Sequence, residues 1–290
     1  MSAPAIAGEQ PNIDHLRQWI GRTEEATDIV TAQLVKGLRA TLFQEIGQPK
    51  VGDAAPFTTH WCLAPPVFPM SQLSQDGHPT RGGFLPPVPL PRRMWAGGEL
   101  EFIEPVRVGD EVKRSSRISD VTLKTGSTGT LCFVAVHHDI TTPRGIAIRE
   151  RHDIVYREAT TGPQVAPKAP PPPPPAKHRE THVSDPVLLF RYSALTFNGH
   201  RIHYDRRYVT EVEGYPGLIV HGPLIATLLL ELLRENLPQA RIASFEFRAL
   251  RPIFDLNPFH ACGEPGDKTV RLWARDHEGA LCMDASVTLY

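Results

Sequence analysis

Apolar and polar positions alternate over two long stretches of this chain, residues 97–158 and residues 243–290. Alternation at period two, with many Val, Ile, Phe and Thr, predicts antiparallel strands with one buried face. Each stretch has a Glu-Phe pair ahead of a Pro-aliphatic pair, and later a Gly-x-Leu-Cys strand start. These features lie at Glu101-Phe102 and Gly129–Cys132, and again at Glu246-Phe247 and Gly279–Cys282. The pattern predicts two related β-rich units, with chance similarity as the alternative.

Helical spacing of apolar residues is confined to two segments. Residues 13–46 carry it with a break near Gly21, and residues 223–237 carry it more strongly, between Pro223 and Pro238. The second helix is apolar nearly all round, which predicts burial. One buried helix wrapped by a long antiparallel sheet is the hotdog arrangement. No comparable helical pattern follows Pro56, so we predict an α+β fold of two hotdog domains with a degenerate N-terminal copy.

A proline-rich stretch, from Pro163 to Pro175, separates the two units. Its closing run of prolines removes every backbone donor, so neither a strand nor a helix can cross it. A chain of 290 residues is also long enough for two domains. We therefore predict an N-terminal domain at 1–160 for substrate binding or structure, a linker at 161–176, and a catalytic domain at 177–290.

Composition restricts the classes of function. The formal net charge is −1, so no basic field exists to attract nucleic acid or anionic lipid. The N-terminus lacks the features of a secretory signal, and the longest apolar run, Leu218–Leu233, contains His221 and Glu231 and is too short to span a bilayer. The four cysteines show no metal or disulfide spacing. We expect a cytoplasmic protein with no membrane or nucleic-acid partner.

The segment 192–205 (YSALTFNGHRIHYD) crowds polar and ionisable side chains among apolar ones. Histidine transfers protons near neutrality, so His203 is a candidate acid–base residue. About 20 residues later, His221-Gly222 begins the buried helix, where free N–H groups and the helix dipole can stabilise an oxyanion. A cluster of hydrogen-bonded structural side chains and an ordinary Gly-Pro helix start are the alternatives.

At these residues the second half resembles the MaoC-like hydratases and dehydratases. That family's loop reads Asp-x-Asn-Pro-Ile/Leu-His and is followed by a His-Gly helix start. The variant loop of this chain looks like the branch with hydroxyacyl-thioester dehydratase type 2 and the mesaconyl-C4-CoA and itaconyl-CoA hydratases. The stretch 81–102 (RGGFLPPVPLPRRMWAGGELEF) is similar to the N-terminal domain of that branch.

The resemblance places His203 on the family's catalytic histidine and Asn198 on its catalytic aspartate, which Asn cannot replace as an acid or base. Asn198 is therefore expected to orient water or the histidine, and the Gly222 N–H to hold the enolate oxygen. His203 handles both proton transfers, or His200 or Tyr192 supplies the second. The expected substrate-binding residues are Tyr192, His200, Arg201, His221, Arg92 and Arg93. The histidines at 137, 138 and 152 show no metal-ligand set, and neither a metal nor another cofactor is expected.

The resemblance implies a hydro-lyase that interconverts an enoyl-CoA and a 3-hydroxyacyl-CoA, with a short branched dicarboxylic acyl group as the favoured substrate. The alternatives are dehydration of (3R)-hydroxyacyl thioesters on fatty chains, a hotdog thioesterase, and a non-catalytic acyl-CoA binding module. A thioesterase would need a carboxylate at the buried helix, where Glu231 is poorly placed. The sequence leaves open whether two chains pair as a homodimer.

Overall fold

Ten antiparallel strands form one sheet in the computed structural model, which describes residues 11–126, 129–158 and 175–290. The strand order across the sheet is β1-β3-β4-β5-β2-β7-β10-β9-β8-β6. The first five strands are β1 (Thr23–Ile29), β2 (Arg92–Phe102), β3 (Glu111–Gly126), β4 (Gly129–Thr142) and β5 (Gly145–Arg157). The second five are β6 (His178–His182), β7 (Ile242–Ala249), β8 (Phe259–Pro265), β9 (Thr269–Arg275) and β10 (Leu281–Leu289). The predicted antiparallel character is confirmed.

The halves join where β2 pairs with β7, with Leu100 opposite Phe245. Outward from this pair the order is β5-β4-β3-β1 on one side and β10-β9-β8-β6 on the other. The two Glu-Phe pairs therefore lie on equivalent strands. The Gly-x-Leu-Cys part of the predicted repeat is wrong, because Gly129–Cys132 begins β4 whereas Gly279–Cys282 leads into β10, the counterpart of β5.

Four α-helices occur in the described residues: α1 (Ile13–Arg17), α2 (Ala32–Thr41), α3 (Pro186–Leu195) and α4 (Gly222–Asn236). The predicted helical region at 13–46, with its break near Gly21, is wrong in its middle, where β1 pairs with β3. Gly21, at φ 88°, turns the chain into β1, whose side chains alternate between exposed and half-buried. Helix α3 was not predicted, although Asp185 caps it by accepting a hydrogen bond from Leu188 N.

Helix α4 confirms the predicted buried helix and packs against β6, β8 and β9. All residues from Leu224 to Leu233 are buried, which places the main hydrophobic core around it. The equivalent stretch of the first half, between α2 and β2, has only short 3-10 turns at Thr59–Cys62 and Met70–Gln72. The N-terminal copy has therefore lost its central helix, as predicted.

The predicted linker at 161–176 lies almost entirely outside the described residues, as does the extreme N-terminus. The division into domains at that linker therefore stays a prediction. No helix in the described part of the chain is long and apolar enough to cross a membrane. All four cysteines are buried and unpaired.

Candidate active site

A cavity of about 1900 Å³ is lined by residues of both halves. The second half contributes the segment after α3 and the start of α4, and the first half contributes β2, β4, β5 and the loop between Leu63 and Pro91. The predicted residues that line this cavity are Arg92, Arg93, Tyr192, Asn198, His200, Arg201, His203 and Gly222. One predicted residue, His221, does not line it.

The segment that follows α3 is shaped by hydrogen bonds within itself. Phe197 adopts φ 51°, and Asn198 N then donates to Ser193 O at 2.8 Å. The Asn198 side chain accepts through Oδ1 from His200 N at 3.0 Å, an Asx turn that leads into the 3-10 turn Arg201–His203. Within the described residues, the NH2 group of Asn198 forms no hydrogen bond, so it is the part of this amide that is available to a ligand.

His203 is 7% exposed and is held in one tautomer. Its Nδ1 lies 2.7 Å from the carbonyl oxygen of Ile219, which can only accept, so Nδ1 carries the proton and Nε2 has the lone pair. Burial lowers the pKa of His203 to about 4, against the raising effect of the Ile219 hydrogen bond. The ring is therefore a neutral base at pH 7.

His221 lies directly behind His203. The two rings stack with centroids 3.7 Å apart, and His221 Nε2 lies 2.8 Å from Ser193 Oγ. Burial and the neighbouring histidines hold the pKa of His221 well below its usual range. This position does not fit the predicted direct contact of His221 with substrate. It fits a role in which His221 supports the His203 ring.

The N-terminus of α4 opens on the cavity. His221 is its N-cap but forms no side-chain cap hydrogen bond, and Pro223 follows Gly222 directly. A Cβ added to Gly222 would meet only Trp95, at 3.9 Å, so protein packing does not require glycine here. The space in front of Gly222 is therefore available to a ligand that approaches the backbone N–H closely.

The loop between Leu63 and Pro91 docks on the His203 segment through its backbone. Arg201 donates through N to Asp76 O at 2.9 Å and through Nη1 to Gln75 O at 3.0 Å. Gly77, at φ 89°, lies so close to Gly199 O that an added Cβ would be 1.9 Å from it, so only glycine fits. The first half thus supplies part of the site.

Two residues of this docked loop, Asp76 and His78, were missed from the sequence. Asp76 Oδ2 lies 2.9 Å from His78 Nδ1, and Asp76 Oδ1 accepts from His78 N at 3.0 Å. Burial and the charge of Arg93 lower the pKa of His78 to about 4, although Asp76 opposes them. The sequence signal for these two residues was Asp-Gly-His in a Pro- and Gly-rich loop, because such a turn can hold the histidine against the carboxylate of the aspartate.

The rings of His78, His200 and His203 form a row. Their centroids are 4.0 Å apart between His78 and His200 and 5.5 Å apart between His200 and His203. Asp76, His78 and His200 are also the one group in the described residues that could hold a metal ion. Asp76 bonds Nδ1 of His78 and so orients this imidazole from within the protein.

The three predicted arginines differ in their contacts. Arg92 pairs with Glu213, with Nε 3.3 Å from Oε2. Arg201 binds Asp205 Oδ2 at 2.8 Å and lies over the Tyr208 ring. Arg93 lines the cavity and forms no ion pair with a carboxylate in the described part of the chain. It is therefore the best placed of the three to bind an anionic group of a ligand.

Tyr192, a predicted alternative proton donor, is buried at 1% exposure on α3. Its ring packs edge-on against His221 at 5.1 Å, and burial raises its pKa well above the usual value. His200 is held neutral, since burial first and then His78 keep its pKa well below the usual range. Neither group is as well placed for proton transfer as His203.

Comparison with known proteins identifies the family. Residues 58–255 match the family described as hydroxyacyl-thioester dehydratase type 2. The chain belongs to this family. It is 45% identical to mesaconyl-C4-CoA hydratase of Chloroflexus aurantiacus, over 93% of this chain and 96% of that protein. It is 29% identical to mitochondrial hydroxyacyl-thioester dehydratase type 2 of Schizosaccharomyces pombe, over 67% of this chain and 72% of that protein.

Solved structures confirm the predicted hotdog fold. A MaoC-like dehydratase from Phytophthora capsici superposes with a TM-score of 0.69 at 17% identity, covering 96% of this chain and 99% of that one. A conserved protein of Mycobacterium tuberculosis with a double hotdog fold superposes with a TM-score of 0.53 at 12% identity, covering 93% and 96%. At these identities the likeness concerns the fold alone.

Proposed function

We propose that this protein hydrates an enoyl-CoA to a 3-hydroxyacyl-CoA, and catalyses the reverse dehydration, in the cavity between its two halves. The observation that carries the proposal is the pairing of His203 with the start of α4. A neutral imidazole with Nε2 free lines the same cavity as an uncapped helix N-terminus. Hydro-lyase activity also agrees with the names of the relatives.

In hydration, Nε2 of His203 accepts a proton from water while the water oxygen bonds to C3. The π electrons of the double bond move toward the thioester, and the Gly222 N–H and the positive end of α4 stabilise the resulting enolate oxygen. His203 then returns the proton to C2. One neutral histidine thus completes the cycle, and Ile219 keeps its tautomer correct throughout.

Asn198 and His78 are proposed to hold the attacking water. The Asn198 carbonyl is engaged in the turn, which leaves its NH2 group as a donor, while His78, with Nδ1 tied to Asp76, offers Nε2 as an acceptor. Water held by both has a fixed orientation when His203 removes its proton. The loss of the family aspartate is thus offset by groups that position water rather than exchange protons.

The proposed acyl group is short, branched and dicarboxylic. The most direct support is Arg93, a cavity cation with no carboxylate partner in the described residues. Burying a ligand carboxylate here without a cation would be costly, and a guanidinium matches it well. The relative from Chloroflexus aurantiacus is named for a substrate of this kind.

Arg93→Met tests this acyl assignment. We expect KM for mesaconyl-C4-CoA or itaconyl-CoA to rise by about ten- to a hundredfold, since a charge-assisted hydrogen bond contributes roughly 1.5–3 kcal/mol. Arg149→Met is the matched control, because Arg149 lies on β5 in an exposed ion pair with Glu101. The dicarboxylic assignment is wrong if wild-type protein prefers crotonyl-CoA or longer monocarboxylic enoyl-CoAs over every dicarboxylic ester.

The thioesterase alternative has little support from the structure. Glu231 is buried, binds Arg234 through Oε2 at 2.6 Å, and does not line the cavity. We further propose that the first half mainly binds the acyl group, that the second half carries catalysis, and that two chains can associate as a homodimer.

A further inference from the structure

A second polar cluster lines the cavity in the first half, apart from the His203 segment. It consists of His60 in the turn that replaces the central helix, His138 on β4, and Glu150 and His152 on β5. Glu150 is 5% exposed, an unusual position for a carboxylate in the interior of a hotdog half. None of these side chains has a role in the hydration steps above.

The contacts within the cluster hold its members in place. Glu150 Oε1 accepts a hydrogen bond from Trp61 Nε1 at 3.0 Å, and His138 Nδ1 lies 2.7 Å from Ser116 Oγ. Burial raises the pKa of Glu150, but the neighbouring imidazoles of His60, His138 and His152 outweigh it and bring this pKa to about 2. Glu150 is therefore an anion that is held by Trp61 and lies against His60.

Several polar atoms of this wall lack partners. His60 is 4% exposed, its Nδ1 has no hydrogen-bond partner, and its Nε2 approaches Glu150 only to 3.6 Å. The indole N–H of Trp95, which also lines the cavity, has no partner in the described residues either. Buried polar groups are costly when unpaired, so a ligand that supplies hydrogen bonds here is favoured over one that does not.

The cluster lies along the path of an acyl chain. Trp95 stands between the two parts of the cavity, since its ring centroid is 4.4 Å from that of His152 and its edge is 3.9 Å from a Cβ built on Gly222. A thioester held at Gly222 would therefore direct a short acyl chain past Trp95 toward His152.

The charged side chains of this wall differ in their partners. Arg114 pairs with Glu24 at 3.5 Å and Glu150 faces His60, whereas Arg93 has no carboxylate partner in the described residues. Arg93 also lies close to His152, whose pKa is held at about 3 by burial first and then by the charges of His138, Arg93 and Arg114, against Glu150.

We infer that His60, His138 and His152, which adjoin Arg93, form an acyl-end subsite that accepts a carboxylate and rejects an alkyl terminus. An alkyl end would leave His60 and the Trp95 N–H unpaired, whereas a carboxylate can accept hydrogen bonds from them and neutralise Arg93. The inference rests on the proposed hydration of enoyl-CoA and extends it to the choice of acyl group.

The test compares two six-carbon trans-2-enoyl-CoA esters, one ending in methyl and one in carboxylate, with crotonyl-CoA as the reference substrate. We expect wild-type kcat/KM to be at least about tenfold higher for the carboxylate ester than for the methyl ester. His152→Phe should abolish that preference. His137→Phe, on the exposed side of the same sheet, is the matched control and should retain it.

The outcomes of this test distinguish failure of the acyl-end subsite from failure of the proposed hydration. A wild-type preference for the methyl ester overturns the subsite without any variant, so a poorly folded His152→Phe does not weaken the test. A carboxylate preference that survives in folded His152→Phe also overturns it, because another element must then select the acyl end. No hydration of any of the three esters contradicts the proposed function itself.

Discussion

The two halves of the sheet have the same strand order but differ in what fills the centre of each half. In the second half, α4 fills the centre with apolar residues, and its Gly222 end faces the cavity. In the first half, the four-residue turn Thr59–Cys62 stands in the place of that helix, and polar side chains of β4 and β5 line the space instead. We propose that the same framework supports catalysis in one half and ligand recognition in the other.

This difference shows what the loss of a helix can provide. A helix at the centre of a hotdog half occupies the volume that a substrate would need, so a half without one can hold an acyl group. The first half also sends its long Leu63–Pro91 loop across to the second, where it places Asp76 and His78 beside His200. We expect changes in the second half to affect kcat and changes in the first half to affect mainly substrate choice and water positioning.

His203→Ala should have the largest effect, because it removes the base of the second half. We expect kcat to fall by roughly 10²- to 10⁴-fold, the usual contribution of a general acid–base residue. His137→Ala, at an exposed position on β4, is the control and should retain full activity. Activity of His203→Ala within a few-fold of wild type, measured on crotonyl-CoA, would show that the base is elsewhere.

His78→Ala tests whether the first half contributes to the chemistry as well as to binding. Loss of one of the two groups that hold the water should lower kcat by about ten- to a hundredfold with little change in KM. Asp76→Asn should have a smaller effect in the same direction, because it loosens the imidazole without removing it. A rise in KM with unchanged kcat would instead assign His78 to substrate binding.

Asn198 is expected to tolerate replacement better than either histidine. Asn198→Ala should lower kcat by about tenfold, the value of one hydrogen bond to water. Asn198→Asp should keep or improve activity, because Oδ1 can still accept from His200 N while a carboxylate binds the water. An inactive Asp variant beside a fully active Ala variant would contradict the orienting role.

Of these predictions, a change of pH near neutrality should have the smallest effect on activity. Burial places the pKa of His203 near 4, below its ordinary value, and the neutral form is the active one. kcat/KM should therefore stay level as pH falls from 7 to about 5 and decline as the pH approaches 4. The assay should use brief transfer from neutral pH, because the fold itself becomes less stable in acid. His78 and His138 are also buried with pKa values near 4, so they gain protons on unfolding, and this destabilises the fold below about pH 6.5. An acid limb at pH 6.5 would contradict a desolvated His203.

The sequence predicted α4 and the His203 segment because both depend on local pattern, an apolar helix behind Gly222-Pro223 and ionisable residues among apolar ones. It could not place Asp76 and His78, since their contact with His200 depends on a loop more than a hundred residues away in the chain. It also could not separate Arg93 from Arg92, because their difference arises from Glu213, a distant ion-pair partner. Long-range pairing of this kind carries no periodic signal.

Hydration of crotonyl-CoA by the purified wild-type protein is the most direct test of the central claim. The ultraviolet absorbance of the conjugated thioester and the release of free thiol would be followed in the same sample. The account predicts loss of conjugation without thiol release, and loss of this activity in His203→Ala. Thiol release, or unchanged absorbance with both crotonyl-CoA and the dicarboxylic esters, would contradict it.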